Sequence, residues 1–331
     1  MSHEVIFSGI QPSGKLHVGN YIGAIQQWVN MRANTEGEYI FCLVNLHSIT
    51  VPQDPALLKE YTYQLIAWFI AAGLDPSKTT FFAQSQNPDH PYLAWMLDCI
   101  TPMGWMERMT QYKDKSKKQG ERTSVGLFHY PSLMASDILL YDTTIVPVGE
   151  DQTQHIEITR DIAEKFNNTY GEVFTLPKIR LVNEGARVMS LQNPTEKMSK
   201  SASDPAGTID LLDSADDIQK KVMRAVTDSG SEVKSTPDKP ALTNLLAIYS
   251  AFSGLPVSEI ESLYIGKGYG DFKKGLAEAV ITGLEPLQKK YNELMQDRAQ
   301  LDQILAEGLL KARERSSAKL KQASEAMGLL V

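Results

Sequence analysis

The stretch from Val5 to Gly23, VIFSGIQPSGKLHVGNYIG, limits what this chain can fold into more than any other. Val5, Ile6 and Phe7 form an apolar run too short for a helix. Gly9, Pro12 and Gly14 then interrupt regular structure, and helical spacing resumes from Tyr21 to Met31. The pattern predicts a buried strand, a tight loop and the entrance of a helix. Backbone N–H groups at a helix entrance lack intrahelical partners and carry partial positive charge, so the place suits an anion such as a nucleotide phosphate. Gly19 allows close approach to the backbone, while Gln11, Ser13, His17 and Asn20 offer hydrogen bonds at the same mouth.

Two phosphate motifs compete for this stretch. Gly9 to Leu16, GIQPSGKL, matches the phosphate-loop pattern except at its last place, where Leu16 replaces the hydroxyl that would hold magnesium. The next apolar strand, Tyr39 to Val44, ends at Asn45 instead of an acid, so a phosphate-loop ATPase would lack the metal ligands its mechanism needs. The second motif is PSGKLHVGN, Pro12 to Asn20. With His17, Val18, Gly19 and Asn20 in its four places, it resembles the HIGH signature of class I aminoacyl-tRNA synthetases. Asn in the last place departs from the general class and is tolerated in its tryptophan and tyrosine branch.

Strand and helix patterns alternate along the first half. Tyr39 to Val44 reads as a strand with Asn45, Leu46, His47 and Ser48 at its carboxyl end, Leu57 to Gly73 as a helix stopped by glycine, and Thr79 to Gln84 as a third strand. Alternation of this kind predicts an α/β fold with a parallel sheet, whose ligands bind beyond the carboxyl ends of the strands. Residues 90 to 121 read as a helical excursion: Trp95, Met96, Trp105, Met106 and Met109 form an apolar stripe, followed by Lys113, Lys115, Lys117 and Lys118. The lysines are either a solvated helix end or a screen for polyphosphate or RNA, with Lys113 and Lys115 better placed for the second role.

Tyr130 and Pro131 lead into LMASDILLYD, a helix apolar on its buried face except for Asp137. Helical spacing puts Met134, Asp137 and Ile138 on one side. A carboxylate among apolar neighbours needs a donor, or its pKa rises and it neutralises. That donor is either a neighbouring protein group or a ligand N–H. Thr144 to His155, TIVPVGEDQTQH, then reads as a strand closed by Gly149, with Glu150, Asp151 and Gln152 at its end and a helix beyond. Phe174 to Val188 reads as strands and loop.

The whole chain has 331 residues, enough for two domains, and a formal charge of -7 that gives no general pull toward nucleic acid. Cys42 and Cys99 read as core residues of a reduced cytosolic protein. A strand pattern begins almost at once after Met1, leaving no room for a signal peptide, and the most apolar run, Leu65 to Gly73, is about half a membrane span. His3, His90 and His129 read as packing or surface residues.

Asn193 to Pro205, NPTEKMSKSASDP, is a polar loop containing KMSKS at Lys197 to Ser201, which matches the second class I synthetase signature in all five places. With both signatures in order, the chain from IFSGIQPSG to AMGLL resembles the bacterial tryptophanyl-tRNA synthetase family. The resemblance implies a Rossmann-type catalytic domain at 1–205 and an α-helical domain at 206–331 that helps bind the anticodon of tRNA(Trp). It implies an ATP site at Gln11, Pro12, Ser13, Gly19, Asn20, Gly149, Glu150, Asp151, the backbone at Val188, and Lys197, Met198, Ser199, Lys200 and Ser201. It implies a tryptophan pocket of Phe7, His47, Met134, Asp137, Val146, Val148 and Gln152, and a cytoplasmic homodimer without membrane or DNA partner. His17 departs from the family, which often has Thr there, and returns the motif to the class pattern. Lys197 and Lys200 are expected on the departing pyrophosphate, with Lys115 closing from the other side and His17 of the first signature counted with them as catalytic, and Mg2+ accompanies ATP without a protein-borne metal site. A tyrosyl-tRNA synthetase and a non-tRNA adenylyltransferase of the same fold are the alternatives.

Beyond the loop, Ser214 to Asp217 has the character of a capping box opening a helix to Thr227, and Asp228 to Lys239 reads as a flexible connector. Thr243 to Phe252, Ser258 to Tyr264, Phe272 to Leu284 and Leu287 to Met327 show helical spacing. Lys311, Arg313, Arg315, Lys319 and Lys321 face only Glu314 and Glu325 across residues 308 to 331. That balance reads either as an RNA footprint or as a solvated helix face.

Overall fold

The computed structural model describes residues 4–12, 14–181, 187–199 and 204–330, with the side chain of Asp151 left aside. Of the expected site residues, Ser13, Lys200 and Ser201 lie outside this set.

Five strands make one sheet: β1 Val5–Ile10, β2 Glu38–Leu43, β3 Thr80–Ala83, β4 Ile145–Val148 and β5 Lys178–Leu181. Their order is β3-β2-β1-β4-β5 and every pairing is parallel. The chain leaves β1 toward β2 on one side and returns to β4 on the other, so a crevice opens at the carboxyl ends of β1 and β4. Alternation along β1 sends Ile6 to one core and Val5 and Phe7 to the other. Helices cover both faces, which is why β2 and β3 read as nearly unbroken apolar runs.

The first helix begins earlier than its spacing predicts, at Val18, and passes through a π-helical turn at Tyr21–Ile25 before ending at Asn34. The helix Pro55–Ala71 starts on Asp54, whose carboxylate accepts from the N–H groups of Ala56 and Leu57, with proline at its first position. The helix carrying Asp137 runs from Val125 to Leu139 and takes Pro131 into its interior instead of starting after it. Ser124 caps it by accepting from the Leu127 N–H.

The second half is helical, with Ala215–Arg224, Pro240–Ser253, Val257–Leu263, Tyr269–Gln296 and Arg298–Ala326 as its helices. The long final segment breaks at Asp297, whose side chain accepts from the Gln300 N–H, and not at Pro286. Burial of Leu284, Tyr291 and Leu294 on either side of Pro286 outweighs the missing N–H, a loss worth about 3 kcal/mol in a helix interior. Arg298–Ala326 does not stay with its own half. It lies along β3, and a Cβ on Gly308 would overlap the Phe81 carbonyl oxygen, so only glycine lets the helix reach the strand backbone.

This contact changes the reading of the basic tail. Arg315 pairs with Glu38 at 2.7 Å and donates to the Tyr141 carbonyl, and Lys319 is buried with its ammonium on Asp142 and the Val173 carbonyl. These two cations pin the helix to the sheet and are not an RNA-facing surface. Two further expectations fail: Trp95 is 68 % exposed, outside the apolar stripe, and Cys99 is exposed whereas Cys42 is buried. Among the described residues, no single helix is long and apolar enough to cross a membrane.

Candidate active site

The two lysine-containing loops meet. Gly14 adopts φ +61°, a left-handed turn that sends the chain into the first helix. The Asn20 side chain accepts from the His17 N–H, the Val18 N–H donates to Ile209 and the Leu211 N–H donates to Leu16. The first loop is therefore laced to the segment that follows the KMSKS loop. A Cβ on Gly19 would come 3.0 Å from His17 Nδ1 and 3.5 Å from Val188 Cβ, so the buried His17 ring and Val188 underlie this glycine. Val188 in turn accepts from the Met198 N–H at 3.0 Å, and Met189 pairs with Lys197 across a narrow hairpin. Along that hairpin Lys197 is exposed and Met198 is buried in the core, so packing of Met198 holds the lysine outward.

At the crevice between β1 and β4 lies a cavity of about 420 Å³. All of Phe7, His47, Met134, Asp137, Val146, Val148 and Gln152 line it, together with Gln11 and Gly149 from the expected ATP site and Lys115, expected to close on the pyrophosphate. Pro12, Asn20 and Glu150 lie outside its lining, as do His17, Gly19, Val188, Lys197, Met198 and Ser199 of the laced loops. Pro12 is buried beside the left-handed turn, and Glu150 is exposed beyond β4.

Asp137 is 2 % exposed and accepts from three side chains. His47 Nε2 lies 2.8 Å from Oδ2, while Gln84 Nε2 and His90 Nδ1 each lie 2.6 Å from Oδ1. Gln84 cannot turn around, because its Oε1 accepts from the Leu46 N–H at 3.0 Å. Burial pushes the carboxyl pKa up, but the hydrogen bonds from His47 and His90 outweigh it and hold the group below its ordinary value. A buried carboxylate kept ionised at the end of an apolar slot is an acceptor for one N–H.

Gln84, His90 and Tyr130 are the side chains that sequence reasoning left without a role. His90 is fully buried, and Tyr130 lines the cavity with its hydroxyl 3.0 Å from His155 Nε2. Gln84 carried one signal, its place at the carboxyl end of a predicted strand. Asn244 was also missed; it reaches Met189 from the helix Pro240–Ser253 and is buried.

A nucleotide-type parallel sheet, a glycine loop at its first helix and a lysine hairpin laced to that loop define a class I aminoacyl-tRNA synthetase. The family described as tRNA synthetases class I (W and Y) matches residues 2–285, and the chain belongs to it. It is 49 % identical over 325 residues to the tryptophan–tRNA ligase of Wolinella succinogenes, covering 98 % of each chain. It is 51 % identical over 326 residues to that of Bacillus anthracis, again covering 98 % of each. The crystal structure of the Campylobacter jejuni tryptophanyl-tRNA synthetase complexed with ADP and tryptophan superposes with a TM-score of 0.85, at 41 % identity, covering 98 % of this chain and 100 % of that one.

Proposed function

We propose that this chain is a tryptophan–tRNA ligase: it activates L-tryptophan with ATP to tryptophanyl-adenylate and pyrophosphate, then transfers tryptophan to tRNA(Trp). The observation that carries the choice of amino acid is the ionised Asp137 at the end of a slot lined by Phe7, Met134, Val146 and Val148. Indole N–H donates and cannot accept, so a tryptophan site calls for an apolar slot with one acceptor. Full-length relatives named tryptophan–tRNA ligase support the same choice.

In the activation step a tryptophan carboxylate oxygen bonds to the α-phosphorus of ATP while the bond to the β-phosphate oxygen breaks, and pyrophosphate departs with its electron pair. The nucleophile is already an anion, so no side chain has to remove a proton. Catalysis rests on alignment and on neutralising charge along the phosphates. ATP enters as its magnesium complex, and the nucleotide is read as lying across Gln11, Gly19, Asn20 and Gly149. Lys197 and Lys200 are assigned to the departing pyrophosphate and Lys115 to the opposite wall of the cavity. Gln152 is left for the polar end of tryptophan, while His47 stays beside the indole end on Asp137. Residues 206–331 are assigned to tRNA, apart from Arg315 and Lys319, which hold the last helix to the sheet.

Two finer readings accompany this one. The exposed Tyr92, Trp95 and Met103 support a homodimer, to be tested by sedimentation. A cytoplasmic location follows from the activity, since translation consumes the product there.

Exchange of labelled pyrophosphate into ATP tests the main reading. We expect exchange with L-tryptophan and little with L-tyrosine. Equal exchange with both, or ATP turnover that needs neither, would overturn it.

A further inference from the structure

Behind Asp137, on the side away from the slot, lies a buried chain of hydrogen bonds that the reaction itself does not use. His90 Nε2 is 2.6 Å from the Tyr141 hydroxyl, which also accepts from Asn87 Nδ2 at 3.1 Å. The other Asn87 amide hydrogen goes to Ser316 Oγ at 3.0 Å, and Ser316 donates to Asp89. Tyr141 is fully buried with its ring stacked on Phe7, a wall of the slot.

The proton positions in this chain follow from its partners. Asn87 can only donate through Nδ2, so the Tyr141 oxygen receives that hydrogen and its own must go elsewhere. Among the described contacts the acceptor within reach is His90 Nε2. An imidazole that accepts at Nε2 carries its proton at Nδ1, where it faces Asp137 Oδ1. The opposite tautomer would set a nitrogen lone pair against a carboxylate 2.6 Å away. An imidazolium would leave the buried Tyr141 hydrogen without an acceptor, a cost comparable to a lost hydrogen bond.

We infer that Tyr141 and His90 are positioning residues for amino-acid selection: the Tyr141 hydroxyl fixes the His90 tautomer whose Nδ1–H holds Asp137 oriented as the acceptor for the indole N–H. The inference rests on the reading of Asp137 given under the proposed function. It makes discrimination depend on a hydroxyl that touches no substrate. With that hydroxyl removed, His90 Nε2 loses its partner and no other described hydrogen bond ties the ring from behind, so its Nδ1–H no longer holds Asp137 Oδ1 at a fixed angle from the side opposite the slot.

The test uses the full chain and two ligands, L-tryptophan and its benzothiophene isostere, in which sulfur replaces the N–H. Dissociation constants are measured by calorimetry for wild type, Tyr141→Phe, His90→Asn and His90→Gln, with melting temperatures alongside. The wild type is expected to prefer tryptophan by about tenfold or more. Tyr141→Phe keeps the ring on Phe7, so it should cut that preference by roughly threefold to tenfold through tryptophan affinity alone. His90→Asn places an amide N–H where Nδ1–H stood and should keep the preference. His90→Gln reaches the Nε2 position instead and should lose it.

A wild type that binds both ligands equally would sink the Asp137 reading itself. A wild-type preference left intact by Tyr141→Phe would overturn the present inference alone. So would equal losses for both ligands in that variant, which mark a packing role. Should Tyr141→Phe not fold, the His90 pair decides: preference lost in Asn and kept in Gln would overturn the inference.

Discussion

The side-chain amide of Asn244 holds the backbone of Met189 with both its atoms: the Met189 N–H donates to Oδ1 at 2.8 Å, and Nδ2 donates to the Met189 carbonyl at 2.9 Å. Met189 is the residue opposite Lys197 in the lysine hairpin. A helix of the second half thus sets the base from which Lys197, proposed above to bind pyrophosphate, projects. We expect Asn244→Ala to lower the rate of tryptophan-dependent pyrophosphate exchange by about tenfold, since it leaves two partly buried backbone groups unpaired at about 1–3 kcal/mol. Tryptophan affinity by calorimetry should stay unchanged, and a parallel loss in both would place Asn244 in general folding instead.

Removing a lysine tests the charge argument directly. Lys197→Ala should reduce the exchange rate by about a hundredfold, the scale of losing one preorganised electrostatic partner in a transition state, with little change in tryptophan binding. Lys200→Ala should behave alike. Equal damage to rate and to tryptophan affinity in either variant would contradict a role on the leaving group.

Asp137→Ala should weaken tryptophan binding by about tenfold or more while leaving ATP binding intact, because it takes away the acceptor and leaves His47, Gln84 and His90 facing a void. Calorimetry with each ligand separates the two. Tryptophan affinity that survives the change would remove Asp137 from the pocket's chemistry.

The protonation of Asp137 has a sign that can be checked. Its pKa is lowered in the folded protein, so the linked stabilisation is present above the ordinary carboxylate value of about 3.9 and is lost as pH falls through the lowered one. Carbon NMR of the side-chain carboxyl should therefore show no titration between about pH 7 and pH 4. A midpoint above the ordinary value would mean that burial wins over the two imidazoles.

Gly308→Ala should destabilise the protein by about 2 kcal/mol or more, because the new methyl group would meet strand backbone and not a flexible side-chain tip. Thermal melting reads the loss. An unchanged melting temperature would mean the helix slides off β3 without penalty.

The parts of the site legible in the sequence are those written in short stretches. Val5 to Gly23 announces strand, loop and helix because its periodicity changes within a few residues, and KMSKS is contiguous. Asp137 stood out as a charge within an apolar helix face. Its partners did not: Gln84 and His90 come from elements 53 and 47 residues away, and no local pattern ties them to it. Arg315 and Lys319 misled for a related reason. Counting charges along a helix cannot tell that Glu38, Asp142 and two carbonyls from the sheet half are waiting for them. Trp95 reads with Met96 as its apolar neighbour, but one step along a helix turns the side chain to another face, so Met96 is buried and Trp95 looks outward.

The meeting of Gly308 with Phe81 joins positions more than two hundred residues apart. During synthesis the edge strand β3 leaves the ribosome long before the helix that covers it. Its row of unpaired peptide groups stands open to other chains for that interval. The nascent enzyme thus depends on a late arrival to seal its sheet, and slowing translation downstream of Gln84 should raise its tendency to aggregate.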